Sequence, residues 1–146
     1  MPNILIVEDN EENIQDAVDA IAEAKIRCNE AGVARNLIEA RNEMNRISKH
    51  GSAVFSHVLL DFHFPLTDKG NLINEDQIPS ALLFIPEFIG RAKIVVVTDI
   101  YHHAEKFHIF NHIMRFQYPN IPIVDLYKGQ EGTKKDWKDA LIKLFA

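Results

Sequence analysis

Residues 4–10 read Ile4-Leu5-Ile6-Val7-Glu8-Asp9-Asn10, and this stretch predicts the architecture of the chain. Its four apolar residues are mostly β-branched and too few for a helix, so they predict a buried strand that ends at the acidic pair. Two later runs repeat the pattern, because residues 58–60 lead into Asp61 and residues 94–97 lead into Thr98. Strands that are apolar on both faces are typical of a parallel sheet with helices on either side.

The segments between these runs predict helices and two weaker strands. Helices are expected after residue 10, over 34–47, from Pro79 to about Phe88, over 102–117, and after a capping box at Thr133 to Asp136, with strands within 26–33 and 121–126. The expected inward residues are Ile14, Val18, Ile21 and Ala22 in the first helix, Leu37, Ile38, Met44 and Ile47 in the second, and Trp137, Leu141, Leu144 and Phe145 in the last. The alternation predicts an α/β fold with a doubly wound, five-stranded parallel sheet.

Length and composition indicate a single domain over residues 1–146. With 47% hydrophobic and 25% charged residues, a chain of 146 residues can bury a core without a disulfide or a metal. The net charge of −5 argues against nucleic acid as a ligand, because phosphate binding needs clustered positive charge. One cysteine, Cys28, excludes a disulfide scaffold, and no apolar run approaches the ~20 residues of a membrane span. We therefore expect a soluble cytoplasmic domain without a membrane segment or a signal peptide.

Ligands of doubly wound sheets bind beyond the carboxyl ends of the strands, so the residues at those ends form the candidate site. They are Glu8, Asp9, Asp61, Thr98 and Lys128. Each alone has an ordinary explanation as a helix cap, a turn residue, a strand end or a solvated lysine. Together they place three carboxylates on one rim, which repel one another unless a cation such as Mg²⁺ joins them. A hydroxyl and a lysine beside that cation suit a phosphoryl group.

At these residues the sequence resembles the receiver domains of two-component response regulators, and the resemblance spans the whole chain. It is carried by residues 4–10, by Leu59-Leu60-Asp61-Phe62-His63-Phe64-Pro65, by Val95-Val96-Val97-Thr98 and by Lys128. It implies a flavodoxin-like fold with strand order 2-1-3-4-5 and a stand-alone receiver domain.

The resemblance also implies a role for each acidic residue. Asp61 would be the phosphoacceptor nucleophile, since a carboxylate can attack phosphorus. Asp9, Asp61 and the backbone carbonyl of His63 would bind Mg²⁺ directly, and Glu8 would act mainly through water. Mg²⁺ and a lysine would then offset the negative charge on the phosphoryl oxygens.

The resemblance implies two further roles and a function. Lys128 would contact a phosphoryl oxygen, and the Thr98 hydroxyl would move toward the phosphoryl group. The chain would act in a two-component phosphorelay, taking its phosphoryl group from a histidine kinase or a phosphotransfer protein. Its output would be a contact with a downstream protein. It would not be an enzyme toward other substrates, because it would catalyse only its own phosphorylation and dephosphorylation.

The sequence departs from the family pattern near the site. Gly129 follows the lysine where the family usually has a cis proline, and Asp125 stands where an aromatic switch residue is usual. Asp99 follows the threonine where a small residue is usual, so its carboxylate is expected to lower the yield of phosphorylation. Residues 66–79 form a longer connection than usual, which we expect to act as a lid. These departures leave open a degenerate, unphosphorylated receiver that acts as a protein-binding module.

A phosphatase of the haloacid dehalogenase type is a third and less favoured interpretation. That family also places a strand-end aspartate, a threonine and a lysine around Mg²⁺. It has a second acid two residues after the nucleophile, where this chain has His63, and its nucleophile normally ends the first strand, whereas Asp61 lies mid-chain.

The histidines and aromatic residues late in the chain are expected to be structural. His108 and His112 are four residues apart on a predicted helix, and His102 or His103 could complete a zinc site, but solvated histidines are the more common outcome. The aromatic residues Phe107, Phe110, Phe116 and Tyr118 are expected in the core or at a homodimer surface. Trp137 is expected to lie far from the site, along the last helix.

Overall fold

The computed structural model describes residues 2–28, 30–70, 79–98, 108–125 and 134–146. Within these residues strands and helices alternate, as the sequence predicts. The strands are β1 (Ile4–Val7), β2 (Ala31–Ala34), β3 (His57–Asp61), β4 (Lys93–Val97) and β5 (Ile123–Val124). The helices are α1 (Glu11–Glu23), α2 (Leu37–Met44), α3 (Ala81–Phe88), α4 (His108–Gln117) and α5 (Trp137–Leu144).

The five strands form one parallel sheet in the order β2-β1-β3-β4-β5, which confirms the predicted doubly wound, flavodoxin-like α/β fold. Val7 of β1 lies opposite Leu60 of β3, so the next residues, Glu8 and Asp61, are neighbours at the carboxyl end of the sheet. The chain passes from β1 outward to β2 and then returns to β3 on the other side of β1. The gap between β1 and β3 is therefore the switch point where such sheets bind ligands.

Two hydrophobic clusters cover the two faces of the sheet. Leu5 and Leu60 point to the face packed by α2, α3 and α4, whereas Ile6 and Leu59 point to the face packed by α1 and α5. Successive strand residues point to opposite faces, so a strand covered on both sides has no polar face. This burial explains why β1 and β3 appear in the sequence as continuous apolar runs.

The predicted inward faces of the helices are partly wrong. In α1 the buried residues are Ile14, Ala17 and Ile21, whereas Val18 is 38% exposed and Ala22 is also exposed. Ile14 and Ile21 are therefore predicted correctly, and Ala17 occupies the buried face between them in place of Val18. Ile38 and Ile47 are also exposed, at 49% and 66%, because α2 ends at Met44 and contacts the core through Leu37, Ala40 and Met44. Phe145 is 39% exposed, because α5 ends one residue before it.

The start of α5 also differs from the prediction. Asp136 is the N-cap residue, and its side chain accepts a hydrogen bond from the Asp139 N–H at 3.1 Å. The predicted amphipathic helix after residues 133–136 is confirmed, and Asp136, not Thr133, is the residue that caps it. Thr133 lies outside the described residues. This correction makes Lys135 the residue directly before the cap.

The helices are of ordinary length for a small domain. Within the described residues the longest helix, α1, has 13 residues, and α3 continues for two residues beyond Pro86 before it ends. Among the residues that the structure describes, none of the helices is both long enough and apolar enough to cross a membrane.

Candidate functional site

Three carboxylates meet at the carboxyl ends of β1 and β3. Glu8 and Asp61 are buried, with 1% and 7% of their surface exposed, whereas Asp9 is exposed to solvent. One carboxylate oxygen from each of the three lies within 4.8 Å of the others. The sequence predicts this convergence, and the parallel register of β1 and β3 produces it.

A lysine that the sequence analysis did not select completes the cluster. The Nζ atom of Lys135 donates hydrogen bonds to Asp61 Oδ1 at 2.7 Å and to Glu8 Oε2. Lys135 is only 5% exposed, and it comes from the segment directly before α5. A buried ammonium that bridges two buried carboxylates keeps all three charges paired, which the low polarity of the interior requires.

Backbone groups supply further hydrogen bonds to the two buried carboxylates. Glu8 Oε1 accepts from the Asn10 N–H at 3.2 Å, and Asp61 Oδ1 accepts from the Phe62 N–H at 2.8 Å. Asn10 is the N-cap of α1, where its side chain accepts from the Asn13 N–H at 3.0 Å. The site therefore lies at the N-terminus of α1, where backbone N–H groups favour negative charge.

The protonation state of Lys135 follows from two opposing influences. Burial has the largest effect and acts to lower the pKa of Lys135, because it disfavours the charged ammonium. The charges of Asp61 and Glu8, and the hydrogen bonds to both, act in the opposite direction. Together they outweigh burial and hold the pKa above its ordinary value, so Lys135 is a cation at neutral pH.

His63 connects the site to the start of α3. Its ring nitrogen Nδ1 accepts a hydrogen bond from the Ser80 N–H at 3.2 Å, and the Ser80 hydroxyl lies 3.3 Å from the same nitrogen. Ser80 is 1% exposed and its hydroxyl also donates to the Phe64 carbonyl. This network ties together both ends of the connection between β3 and α3, so the backbone around His63 is held at the rim of the site.

The site residues line a pocket of about 220 Å³. Its lining consists of Glu8, Asp9, Asn10, Asn13, Asp61, Phe62, His63 and Lys135. Four of the residues that the sequence predicts for the site, Glu8, Asp9, Asp61 and His63, lie together in this lining. The donors are hard carboxylate oxygens, and they fit a cation such as Mg²⁺, which needs few protein ligands because it keeps several waters.

Thr98 lies at the same end of the sheet but is not part of this lining. It follows β4, is 0% exposed, and its N–H donates to the Val124 carbonyl of β5 at 2.9 Å. Asp125, which the sequence analysis noted as a departure, follows directly and is half-buried. The predicted role of the Thr98 hydroxyl stays a prediction.

Several predicted features lie outside the described residues. These are Lys128, Asp99, Gly129, Phe107, His102, His103 and residues 71–78 of the expected lid. The lysine that the described residues bring to Asp61 is Lys135, a residue of the predicted capping box. The sequence shows only that Lys135 lies close before the last amphipathic helix, and this does not separate it from the other lysines that follow β5.

The zinc alternative finds no support in the described part of the chain. His108 and His112 are exposed on α4, and the only cluster of metal-ligating groups among the described residues is the acidic one. Of the nearby aromatic residues, one lies in the core and another at the surface. Phe110 is buried in edge-to-face contact with Phe62, whereas Phe116 is 66% exposed.

Comparison with known proteins identifies the fold. No protein-family model matches the sequence, and no curated protein matches it significantly. Among solved structures, the chain is similar to the bacteriophytochrome response regulator AtBRR, with 18% sequence identity and a TM-score of 0.61 over 99% of this chain and 93% of that one. It is also similar to a two-component response regulator from Legionella pneumophila, with 20% identity and a TM-score of 0.55 over 99% and 95% of the two chains. The resemblance that the sequence predicts is thereby confirmed for the fold, which is that of response-regulator receiver domains.

Proposed function

We propose that this chain is a phosphoacceptor receiver of a two-component phosphorelay, with Asp61 as the residue that takes the phosphoryl group. The contact between Lys135 Nζ and Asp61 Oδ1, at 2.7 Å, is the observation that carries the proposal. Phosphoryl transfer to a carboxylate needs a positioned nucleophile, positive charge for the phosphoryl oxygens, and acidic ligands for a cation. One pocket of this chain offers all three kinds of group.

The transfer step follows from the position of Asp61. One of its carboxylate oxygens attacks the phosphorus of a phosphohistidine, and the bond from phosphorus to the imidazole nitrogen breaks. The imidazole leaves with the electron pair, and Asp61 becomes an acyl phosphate. In the return step water attacks the phosphorus and gives up a proton, the bond from phosphorus to Asp61 breaks with its electron pair on the carboxylate oxygen, and inorganic phosphate is released. These two steps are the only reactions that we assign to the chain, so we do not propose that it is an enzyme toward other substrates.

Lys135 and the acidic residues have different electrostatic roles in this proposal. When the phosphoryl group arrives, the ammonium of Lys135 exchanges a carboxylate partner for a phosphoryl oxygen, and it needs to move little because it already contacts Asp61. We assign to Lys135 the role that the resemblance implied for Lys128. Asp9 and Asp61, with Glu8 behind them, are the residues that would hold Mg²⁺. The bound cation would supply charge neutralisation at the phosphoryl oxygens.

The partners in this proposal are proteins. The phosphoryl group would come from a histidine kinase or a phosphotransfer protein, and a downstream protein would recognise the phosphorylated form. Homodimerisation through the exposed surface of α4 is a further part of the proposal, motivated by Phe116. A cytoplasmic location is proposed because the relevant kinases transfer phosphoryl groups there.

One observation favours a second candidate, a receiver-like module that binds a partner without phosphorylation. Lys135 already pairs with both buried carboxylates, so the cluster is stable as an internal ion network without any added cation. In that case the three residues would serve the fold and not phosphoryl chemistry. The two candidates differ in whether Asp61 can be phosphorylated.

Intact-mass measurement after incubation with acetyl phosphate and Mg²⁺ separates the candidates. We expect the wild-type chain to gain the mass of one phosphoryl group and to lose it on treatment with hydroxylamine, which cleaves acyl phosphates. Asp61→Asn should show no gain, and Asp9→Asn should show a gain that is reduced and needs more Mg²⁺. Asp125→Asn is the matched control, because it changes another strand-end aspartate outside the cluster, and it should behave as wild type.

Three results would contradict the proposal in different ways. A wild-type chain that gains no mass while remaining folded would favour the binding module. A phosphoryl group that persists in Asp61→Asn would place the acceptor elsewhere. Steady turnover of a phosphomonoester such as p-nitrophenyl phosphate would favour the phosphatase interpretation.

A further inference from the structure

The indole ring of Trp137 lies against the site lysine. The Nζ atom of Lys135 is 5.6 Å from the centroid of the ring, within the range of cation–π attraction. Trp137 is 4% exposed and Lys135 is 5% exposed, so the contact is shielded from water. The sequence-based expectation that Trp137 lies far from the site is therefore wrong, because α5 begins at the pocket.

An indole ring at this position has an energetic cost that a phenyl ring would not have. Its Nε1–H is buried and, among the residues that the structure describes, finds no hydrogen-bond partner. An unpartnered buried N–H destabilises the folded state, so packing alone would be served better by a phenylalanine. Indole has the strongest attraction for a cation of the aromatic side chains, which gives this ring a physical use beside an ammonium.

The three partners of Lys135 differ in what a metal ion would do to them. Glu8 and Asp61 are carboxylates from β1 and β3, and a divalent cation in the pocket would draw on the same oxygen atoms. The face of Trp137 has no lone pairs to offer such a cation. Among the described contacts of Lys135, the ring is therefore the one whose attraction for the ammonium is unchanged when the carboxylates bind a metal ion or when Asp61 is phosphorylated.

We propose that Trp137 is a positioning residue, whose ring face holds the Lys135 ammonium beside Asp61 in every state of the site. The consequence for phosphorylation rests on the proposed function, whereas the contact itself does not. A lysine side chain has several rotatable bonds, and a ring that confines its end reduces the entropy lost when the ammonium meets a phosphoryl oxygen. Weakening the ring attraction should slow phosphorylation without changing the nucleophile.

Fluorinated tryptophan tests the proposal in the intact chain. The sequence contains one tryptophan, so incorporation of 5-fluoro-, 5,7-difluoro- and 5,6,7-trifluorotryptophan changes Trp137 alone. Each fluorine withdraws electron density from the ring face and changes its shape little. From the strength of cation–π contacts, we expect the rate of phosphorylation by acetyl phosphate to fall stepwise, by about threefold to tenfold across the series. The equilibrium constant for folding, from urea titration, should fall in the same order.

Two lysine variants distinguish the effect of cation–π attraction from that of packing. In Lys135→Met the folding constant should no longer depend on the number of fluorines, because the cation is gone. In Lys138→Met, which removes an exposed lysine of the same helix, the dependence should match that of the wild type. The ¹⁹F NMR signal of the monofluorinated chain should move between wild type and Lys135→Met and stay in place in Lys138→Met. Trp137→Phe should remain folded and phosphorylate more slowly than wild type.

Each outcome has a defined meaning. A wild-type series that is flat in both rate and folding constant overturns the proposal. So does a fluorine dependence that is equal in wild type and Lys135→Met, because the ring then acts through packing. If Lys135→Met does not fold, the fluorinated series of the wild type and of Lys138→Met still test the proposal. A folding constant that does not change with the number of fluorines in these two chains contradicts the cation–π contact. A wild-type chain that is never phosphorylated, but whose folding constant falls with fluorination only when Lys135 is present, supports the positioning contact and refutes the proposed function.

Discussion

The two ends of the central sheet treat charge in opposite ways. At the carboxyl end, Glu8, Asp61 and Lys135 are all buried and paired with one another. At the amino end of β3 and β4, the ring of His57 stacks on Phe145 with 4.8 Å between centroids, and the neighbouring Lys93 stays exposed. Lys93 Nζ donates to the Ala146 carbonyl at 2.7 Å, a contact at the surface.

The two ends differ in the free-energy cost of buried charge. Burying an ion removes its hydration, and pairing returns that free energy only when the geometry is good. The amino end avoids the penalty with a half-buried ring and a solvated lysine. The carboxyl end accepts it with three buried ions that pair with one another.

The largest effect should come from removing the buried cation. Lys135→Met leaves Glu8 and Asp61 next to each other without positive charge, so the free energy of unfolding should fall by about 3–5 kcal/mol. Urea unfolding at neutral pH measures the change. Lys143→Met is the control, because Lys143 pairs with Asp139 at the surface and such pairs contribute ~0–1 kcal/mol. Equal losses in the two variants would mean that the buried cluster does not depend on its cation.

A packing change at the edge of the sheet should have the next largest effect. A Cβ atom at Gly32 of β2 would lie 2.5 Å from the Phe55 ring, which is itself fully buried. Gly32→Ala should therefore destabilise the chain by about 1–3 kcal/mol through overpacking. Calorimetry or urea unfolding measures this loss, and Phe55→Leu in the same chain should recover part of it. A Gly32→Ala chain as stable as wild type would show that Phe55 can move aside freely.

The buried but uncharged residue Asn36 allows the effect of burial on stability to be measured apart from the effect of charge. Asn36 follows β2 at the carboxyl end of the sheet and is 4% exposed, and its side chain accepts from the Glu39 N–H at 2.8 Å as the cap of α2. Asn36→Ala should cost about 1 kcal/mol, the usual value of a lost cap. Asn10→Ala, at the exposed cap of α1, should cost less in urea unfolding. An Asn36 loss as large as that of Lys135→Met would mean that burial, and not charge, sets the penalty at this end.

The smallest effect is expected from His57 at the amino end. Burial first, and the charge of Lys93 second, hold the pKa of His57 below its ordinary value of 6.5. The unfolded chain therefore binds a proton at this residue more readily than the folded chain does. The resulting stability is complete above pH 6.5 and is lost as the pH falls from there through the lower pKa of the folded state.

Unfolding free energies measured as a function of pH test this contribution. His57→Gln should flatten the decline below pH 6.5. If the unfolding free energy of His57→Gln depends on pH as that of the wild type does, protonation of His57 does not affect the stability of the fold. The two ends of the sheet would then differ even more in how strongly charge affects stability.

The sequence predicted well wherever a short-range pattern decides the outcome. The apolar runs at 4–7 and 58–60 appear as buried strands, because a strand covered on both faces must be apolar throughout. The acidic residues that end them meet because parallel strands end at the same edge of the sheet. Helix faces were predicted less well, since Val18 and Ala17 are adjacent in sequence and only the approach of α1 to the sheet selects Ala17 for burial.

By itself the sequence determined the strand-helix alternation, the parallel sheet and the gathering of Glu8, Asp9 and Asp61, because each follows from local patterns and from the direction of the strands. Only the tertiary structure brought Lys135 to those carboxylates. Several lysines follow the last strand in the chain, and their spacing in sequence does not say which one enters the interior. That choice depends on where α5 packs, and α5 lies against β3, β4 and α1 in such a way that the residue before its cap reaches the pocket.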